Sequence, residues 1–309
     1  MRVEVVLTEA DIALEFAEAM QARDLPEKFF FWSPRSALAW TALSQETELY
    51  GGLTETWKAI AADAAPLAQY FGRRVPVISF GAGDGERDRL LMNALKSAGC
   101  ECAYFPVDAS QPMLELACAG ADDDDIETVG IKADISSPVH LVYAVDAAEP
   151  PRLFIISGNT VGSFDPLAEV RYIAQSLRSG DRLILDGEVY SDAVIARRDN
   201  PAVRKFLSAL LSGVGIASGD GQIKFDEKRD ERRDGLHLVT RYFRAERDLC
   251  VTVGGEDVPL QRGERIGLNF QYVYTPESFR WLVEEHGGLQ LVNEYTSQDG
   301  RFLTAICKK

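Results

Sequence analysis

Two rhythms of apolar and polar residues run along this chain, and the change from one to the other marks out its elements. Short apolar runs at 75–80, 101–107, 128–132, 152–156 and 181–185 are bounded by turn residues, the pattern of buried strands. Between them lie segments with helical spacing at 88–97, 111–119 and 166–178. The first of these presents Leu90, Leu91, Ala94 and Leu95 on one face. Strands that alternate with helices predict a parallel, doubly wound sheet.

Residues on either side of this core follow other patterns. A short strand is expected at 1–7, then a helix at 9–21 capped by Thr8, with Ile12, Leu14, Phe16 and Ala19 as its buried candidates. Further helices are expected at 36–44 and 53–69, after the aromatic run Phe29, Phe30, Phe31 and Trp32, which reads as core or as a ligand platform. From Tyr190 to about Asn269 the alternation stops. A helix at 201–211, a glycine-rich polar loop at 212–222, a charged stretch at 226–234 and strands at 237–243 and 249–253 suggest an inserted subdomain. Thr275 and Pro276 open a helix that Gly287 and Gly288 stop. Strands at 289–295 and 301–307, joined around Asp299 and Gly300, read as a terminal hairpin. The expected organisation is an N-terminal helical segment (1–70) on the substrate side, a nucleotide-binding core (71–190 and 275–309) and an inserted α+β substrate-binding subdomain (191–274). Five alternating units closed by a hairpin fit a class I methyltransferase sheet, Rossmann-like and α/β, better than a dehydrogenase.

Composition narrows the possibilities. A length of 309 residues suffices for one large α/β domain or a domain with an insertion. A net charge of −15 repels phosphate, which argues against nonspecific nucleic-acid binding. The cysteines Cys100, Cys102, Cys118, Cys250 and Cys307 lack CxxC spacing, and His140, His237 and His286 form no HxxxH, so no metal site is expected. The acidic run 122–125 reads as a solvated loop, because a calcium loop needs spaced ligands and a glycine. Neither a signal peptide nor an apolar run of about 18 residues is visible, which leads to the expectation of a reduced, cytoplasmic setting without membrane contact. No heptad pattern informs the oligomeric state.

The candidate chemistry begins after the first core strand, where Gly81, Gly83 and Gly85 fall within five positions. Glycines there let the backbone approach a ligand, and the next helix offers free N–H groups. A dinucleotide fingerprint requires glycine at its sixth position, and this chain has Glu86. An anionic side chain disfavours a pyrophosphate but tolerates a cofactor without phosphate, such as S-adenosylmethionine (SAM). Asp108, ending the second strand, is where an acid would grip ribose hydroxyls. The alternative is an ordinary strand–helix turn with a solvent-exposed aspartate.

Four stretches occur in order: Phe80 to Leu91, Tyr104 to Ser110, Ile156 to Phe164, and Gln271 to Thr275. Together they resemble the histidine-specific methyltransferase family of ergothioneine biosynthesis, including its relatives acting on tryptophan derivatives. The resemblance covers about 77–190, and 264–307 more thinly. It implies that Phe80, Gly81 and Gly83 line SAM, Arg87 meets its carboxylate, and Asp108 with Ser110 holds the ribose. Asp134 and Ile135 would flank the adenine, while Ser157, Asn159 and Thr160 would lie near the transferring methyl. For the acceptor the resemblance points to Tyr50, Ser163, Asn269, Gln271 and Tyr274, with Tyr272, Ser163 and Glu188 as catalytic candidates. Three of these depart from the family pattern. Ser163 replaces an asparagine that holds the amino-acid substrate, and Asn269 and Gln271 replace a glutamate and a serine that contact histidine. Exchanging a carboxylate for an amide removes a charge-assisted partner of imidazole or ammonium.

The expected activity is SAM-dependent methylation of a small molecule, possibly the amine of an amino acid or derivative but not histidine itself. Two rivals belong to other classes. One is a non-catalytic SAM-binding or S-adenosylhomocysteine-binding partner protein. The other is a nicotinamide-dependent oxidoreductase, opposed by Glu86 and the lack of a Tyr-x-x-x-Lys pair.

Overall fold

A computed structural model of the chain describes residues 2–309. Its main sheet has eight strands, in the spatial order Arg2–Val5, Glu127–Lys132, Glu101–Asp108, Arg74–Phe80, Leu153–Ile156, Arg182–Glu188, Phe302–Lys308 and Gln290–Thr296. The first six are parallel. Phe302–Lys308 runs antiparallel to Arg182–Glu188, and Gln290–Thr296 antiparallel to Phe302–Lys308, which gives the expected terminal hairpin.

Successive residues of the central strands serve opposite faces, as the two-residue period of a strand requires. Val75 and Val77 pack with Leu91, Met92 and Leu95 of the helix Glu86–Ser97. Ile78 and Phe80 pack with Leu141 and Ile173 of the helices Pro138–Val145 and Pro166–Ser176. Covering both faces explains why Leu153–Ile156 is apolar and buried throughout. The chain passes from Arg74–Phe80 to a neighbour on one side and later returns to Leu153–Ile156 on the other. That reversal opens a crevice at the carboxyl ends of the strands, the usual ligand position in such sheets.

Over this crevice lies a second sheet, ordered Asp24–Leu25, Arg265–Tyr274, Leu236–Ala245 and Gly221–Arg229. A separate hairpin joins Leu249–Val253 to Glu256–Leu260. The aromatic run is divided: Phe29 and Phe30 are buried core, while Phe31 also lines the crevice. Phe206, from the helix Pro201–Gly213, lies 6.0 Å from Phe30, 5.5 Å from Phe31 and 5.5 Å from Trp40 between ring centres. These contacts bind the N-terminal helices to the insertion. The N-terminal segment is also more than helical, since it lends one strand to each sheet.

Several local expectations are revised. The helix expected at 53–69 is two, Thr47–Ala62 and Ala65–Phe71, because Pro66 cannot continue a helix but suits a first turn. Leu14 is 62% exposed, and the buried stripe of Glu9–Ala22 is Ile12, Phe16 and Met20 at four-residue spacing. The helix Gln111–Asp123 absorbs half of the acidic run. Gly221–Arg229 is an edge strand whose polar residues face solvent, which hid it as loop and charged stretch. Pro138–Val145, Val194–Arg198 and Glu256–Leu260 were too short for their periodicity to register. No helix among the described residues is long and apolar enough to cross a membrane.

One buried group opposes the fold at neutral pH. Glu169 is 5% exposed and one of its oxygens lacks a hydrogen-bond partner. Burial, and secondarily the Asp134 charge, push its carboxyl up to about 7. The folded chain then holds this proton more tightly than the unfolded chain, so this group's contribution to stability falls as pH rises from the ordinary carboxylate range to about 7. Glu169→Gln should raise the melting temperature at pH 8 by a few degrees, as a gain of about 1–2 kcal/mol implies, with no gain at pH 4. Thermal melts at the two pH values check this.

Candidate active site

The strand Arg74–Phe80 ends in a turn with left-handed backbone at Gly81 (φ 65°), Gly83 (φ 59°) and Gly85 (φ 70°). At Gly81 the reason is also steric, for a Cβ would stand 2.9 Å from Thr160 Cγ2. Asp108 holds the turn. Its Oδ2 accepts from the Gly83 N–H at 3.0 Å and its Oδ1 from the Ser110 N–H at 2.9 Å. Burial pushes the Asp108 carboxyl up to about 6, against the pull of these donors. Asp134 accepts from Lys28 at 2.6 Å and from the Ser136 hydroxyl at 2.6 Å. Burial would raise its carboxyl, but Lys28 and Ser136 outweigh burial and hold it below the usual range.

Behind the turn, Asp186 of the strand Arg182–Glu188 fastens the next loop. It accepts from the N–H groups of Gly158 at 3.2 Å and Asn159 at 2.7 Å, and from Trp57 Nε1 at 3.3 Å. Asn159 in turn donates through Nδ2 to the Tyr272 carbonyl at 2.8 Å. The glycine turn and this loop border a cleft of about 1270 Å³, counted out to its open mouth, lined among others by Gly81, Gly83, Asp108, Gly158 and Thr160.

Among the residues expected to bind SAM, Gly81, Gly83, Arg87, Asp108, Asp134, Ile135, Ser157 and Thr160 line the cleft. Among the acceptor candidates, Tyr50, Ser163 and Gln271 do so. The Arg87 guanidinium lies 6.0 Å from the Tyr50 ring centre, and its Nε has no hydrogen-bond partner among the described residues.

The other expected residues lie outside this lining. Phe80 points to the opposite face of the sheet and stacks on Phe154 at 5.8 Å. Ser110 caps the helix Gln111–Asp123 and donates to the Phe31 carbonyl at 2.6 Å. Asn159 is committed to the loop contacts already described. Glu188 is buried in an ion pair with Arg198 and faces Arg197 at 3.6 Å, so it is not a free base. Tyr272 and Tyr274 share the strand face turned to the main sheet, where Leu236 and Phe279 surround them. The Tyr272 hydroxyl accepts from Arg232 at 3.1 Å, and burial, with the Asp230 charge second, pushes it up to about 12. Burial likewise raises the Tyr274 hydroxyl, which has no hydrogen-bond partner among the described residues. Gln271 reaches the cleft from the opposite face. A bulge between Gly267 and Phe270, with Asn269 at φ 63°, breaks the alternation, and Asn269 stays buried outside the lining.

Sequence reasoning missed the groups that shape the far end of the cleft. Glu27, Arg198 and Arg241 meet Ser163 and Gln271 there, beside the apolar side chains of Val203 and Phe206. Burial pushes the Glu27 carboxyl up, against the attraction of Arg241 and a hydrogen bond with Ser163. Burial lowers the Arg241 guanidinium to about 10 despite the Glu27 charge. Glu27 carried no motif, and the two arginines lie in the segment without core periodicity. The one available signal was charge recurring within otherwise apolar strand and helix patterns. The arrangement can hold a nucleoside and a charged small molecule end to end, with an acid between them.

Known proteins match the chain over most of its length. A histidine N-alpha-methyltransferase of Mycobacterium tuberculosis (strain CDC 1551 / Oshkosh) is 26% identical over 302 residues, covering 93% of this chain and 91% of that protein. A protein of the same name from Mycolicibacterium smegmatis (strain ATCC 700084 / mc(2)155) is 25% identical, covering 55% of this chain and 52% of that one. Magnesium protoporphyrin IX methyltransferase from Synechocystis PCC 6803, solved with S-adenosylhomocysteine (SAH), superposes with a TM-score of 0.50 at 11% identity, covering 91% and 97% of the two chains. That likeness is one of fold, and agrees with the class I methyltransferase architecture expected from the strand pattern. The family model for SAM-dependent, histidine-specific methyltransferases matches residues 9–309. The chain belongs to that family.

Proposed function

We propose that the protein methylates the nitrogen of a small amine, an amino acid or close derivative, and that its preferred acceptor is not histidine. The observation that carries this reading is the single cleft running from Gly83 and Asp108 to Glu27 and Ser163, with one end suited to SAM and the other to a charged amine.

SAM supplies an electrophilic methyl group. For holding it, the left-handed glycine turn leaves room for close backbone approach, and Asp108 can accept from two ribose hydroxyls at once. The unpaired Nε of Arg87 suits the carboxylate of the donor's amino-acid end, and Asp134 and Ile135 suit its adenine. At the acceptor end, an ammonium must lose a proton before its nitrogen can attack. Glu27 has the position and the raised carboxyl for that transfer, and Ser163 can orient it. The enclosing aromatic wall of Phe31, Trp40 and Phe206 excludes water and aligns the reactants. Glu188, Tyr272 and Tyr274 take positioning roles in this reading.

The relatives are named for histidine, but Ser163, Asn269 and Gln271 differ from the residues the family pattern uses for it. This difference is the ground for proposing another acceptor. The open far end of the cleft speaks for catalysis over a purely cofactor-binding role.

SAH binding by calorimetry should weaken as pH falls below about 6, where Asp108 takes a proton. Asp108→Ala should cost about 1.5–3 kcal/mol of that binding and flatten its pH dependence. Glu27→Gln should lower kcat by about 10²–10⁴ while leaving SAH binding intact. Release of SAH from SAM across a panel of amino acids and amines, histidine included, identifies the acceptor. Tight SAH binding with no turnover on any amine would refute the catalytic reading.

A further inference from the structure

Arg241 and Arg198 both line the cleft while only 7% and 8% exposed. The Nε of each is buried and lacks a hydrogen-bond partner among the described residues. Arg198 is partly neutralised by Glu188. Arg241 is less well served, for its hydrogen bond to the Phe270 carbonyl is long at 3.4 Å. The largest favourable charge acting on it is that of Glu27, and it forms no ion pair among the described residues. A guanidinium offers five donors in a fixed fork suited to a planar anion, and leaving such donors buried without acceptors is costly. Each fork keeps a buried Nε without an acceptor, and Arg241 has no ion-pair partner among the described residues.

Gln271, which is neutral, pairs across the sheet with Val239, two residues from Arg241 on the same strand face. Glu27 and Ser163 supply the opposite polarity nearer the glycine turn, and the Asp108 charge is felt at Glu27. From the donor end outward, the cleft therefore offers an acid for an amine and then two cations.

We infer that Arg241 and Arg198 form an anion-reading end of the acceptor pocket, so that the amine methylated here carries a carboxylate-type anion held by these two side chains. The inference rests on the methyltransferase reading and adds the acceptor's charge pattern to it. The anion can be the α-carboxylate of an amino acid or an acidic group on its side chain, and the two are separable by experiment.

Calorimetric titration of the SAH-loaded protein with matched amines is the test. L-Histidine against histamine reports on the α-carboxylate, and L-glutamate against L-glutamine on a side-chain anion. In at least one pair the anion-bearing member should bind about 10- to 100-fold tighter. Arg241→Gln should erase that difference and Arg241→Lys restore part of it, with SAH affinity unchanged in both. Equal binding within both pairs overturns the inference, as does a preference that survives in Arg241→Gln, or no binding of any of the four amines. Failure of the wild-type protein to bind SAH would instead overturn the methyltransferase reading beneath it.

Discussion

The Asp186 carboxylate is the constraint on which the site depends. It ends no helix and touches no solvent, being 1% exposed, yet three donors from two separate parts of the chain converge on it. Burial raises its carboxyl, while the Gly158 and Asn159 N–H groups and the Arg87 charge favour the ionised form. Holding that charge buried requires the loop after Leu153–Ile156 to curl over it, with Gly158 and Asn159 both at positive φ. That curl points Thr160 at Gly81 and turns the Asn159 amide toward Tyr272. The cofactor end and the second sheet are thus registered against each other by one acid.

Close backbone approach completes the registration. Gly162 packs so near the strand Arg265–Tyr274 that a Cβ would stand 2.5 Å from the Tyr272 carbonyl. The second sheet therefore sits directly on the loop, and Gln271 is delivered to the cleft while Tyr272 and Tyr274 are sealed into the core. On the other side, Trp57 carries the N-terminal helices to Asp186, and the Phe206 cluster ties the same helices to the insertion. The far end of the cleft is walled by two segments that each pack against the sheet and against one another.

The division of charge within the cleft follows from this packing. Carboxylates dominate the glycine-turn end, where Asp134 is balanced by Lys28 and Asp108 by backbone N–H groups. Cations dominate the far end, where Glu188 absorbs part of the Arg198 charge and Arg241 keeps most of its own. In a buried site such charges act with little screening, so their pattern is a strong filter on what can enter.

The sequence by itself determined the parallel core, the glycine turn, the positions of Asp108 and Asp134, and the closing hairpin. These are local facts: apolar runs of strand length, glycines where φ must be positive, and acids at strand ends all act over a few residues. It also carried the family, through three motifs in the same core and one at the end of the strand Arg265–Tyr274. What only the tertiary structure decided is which residues of the outer segments meet. Glu27, Arg198 and Arg241 lie far apart in sequence, and nothing local marks them, because their meaning comes from sharing one buried volume. The choice between Asp186 and Glu188 was likewise beyond the sequence. They sit two residues apart on one strand face, and only the loop that caps the first and the arginines that pair with the second tell them apart. Tyr272 and Gln271 show the same limit, since a single bulge at Asn269 sets which neighbour faces the ligand.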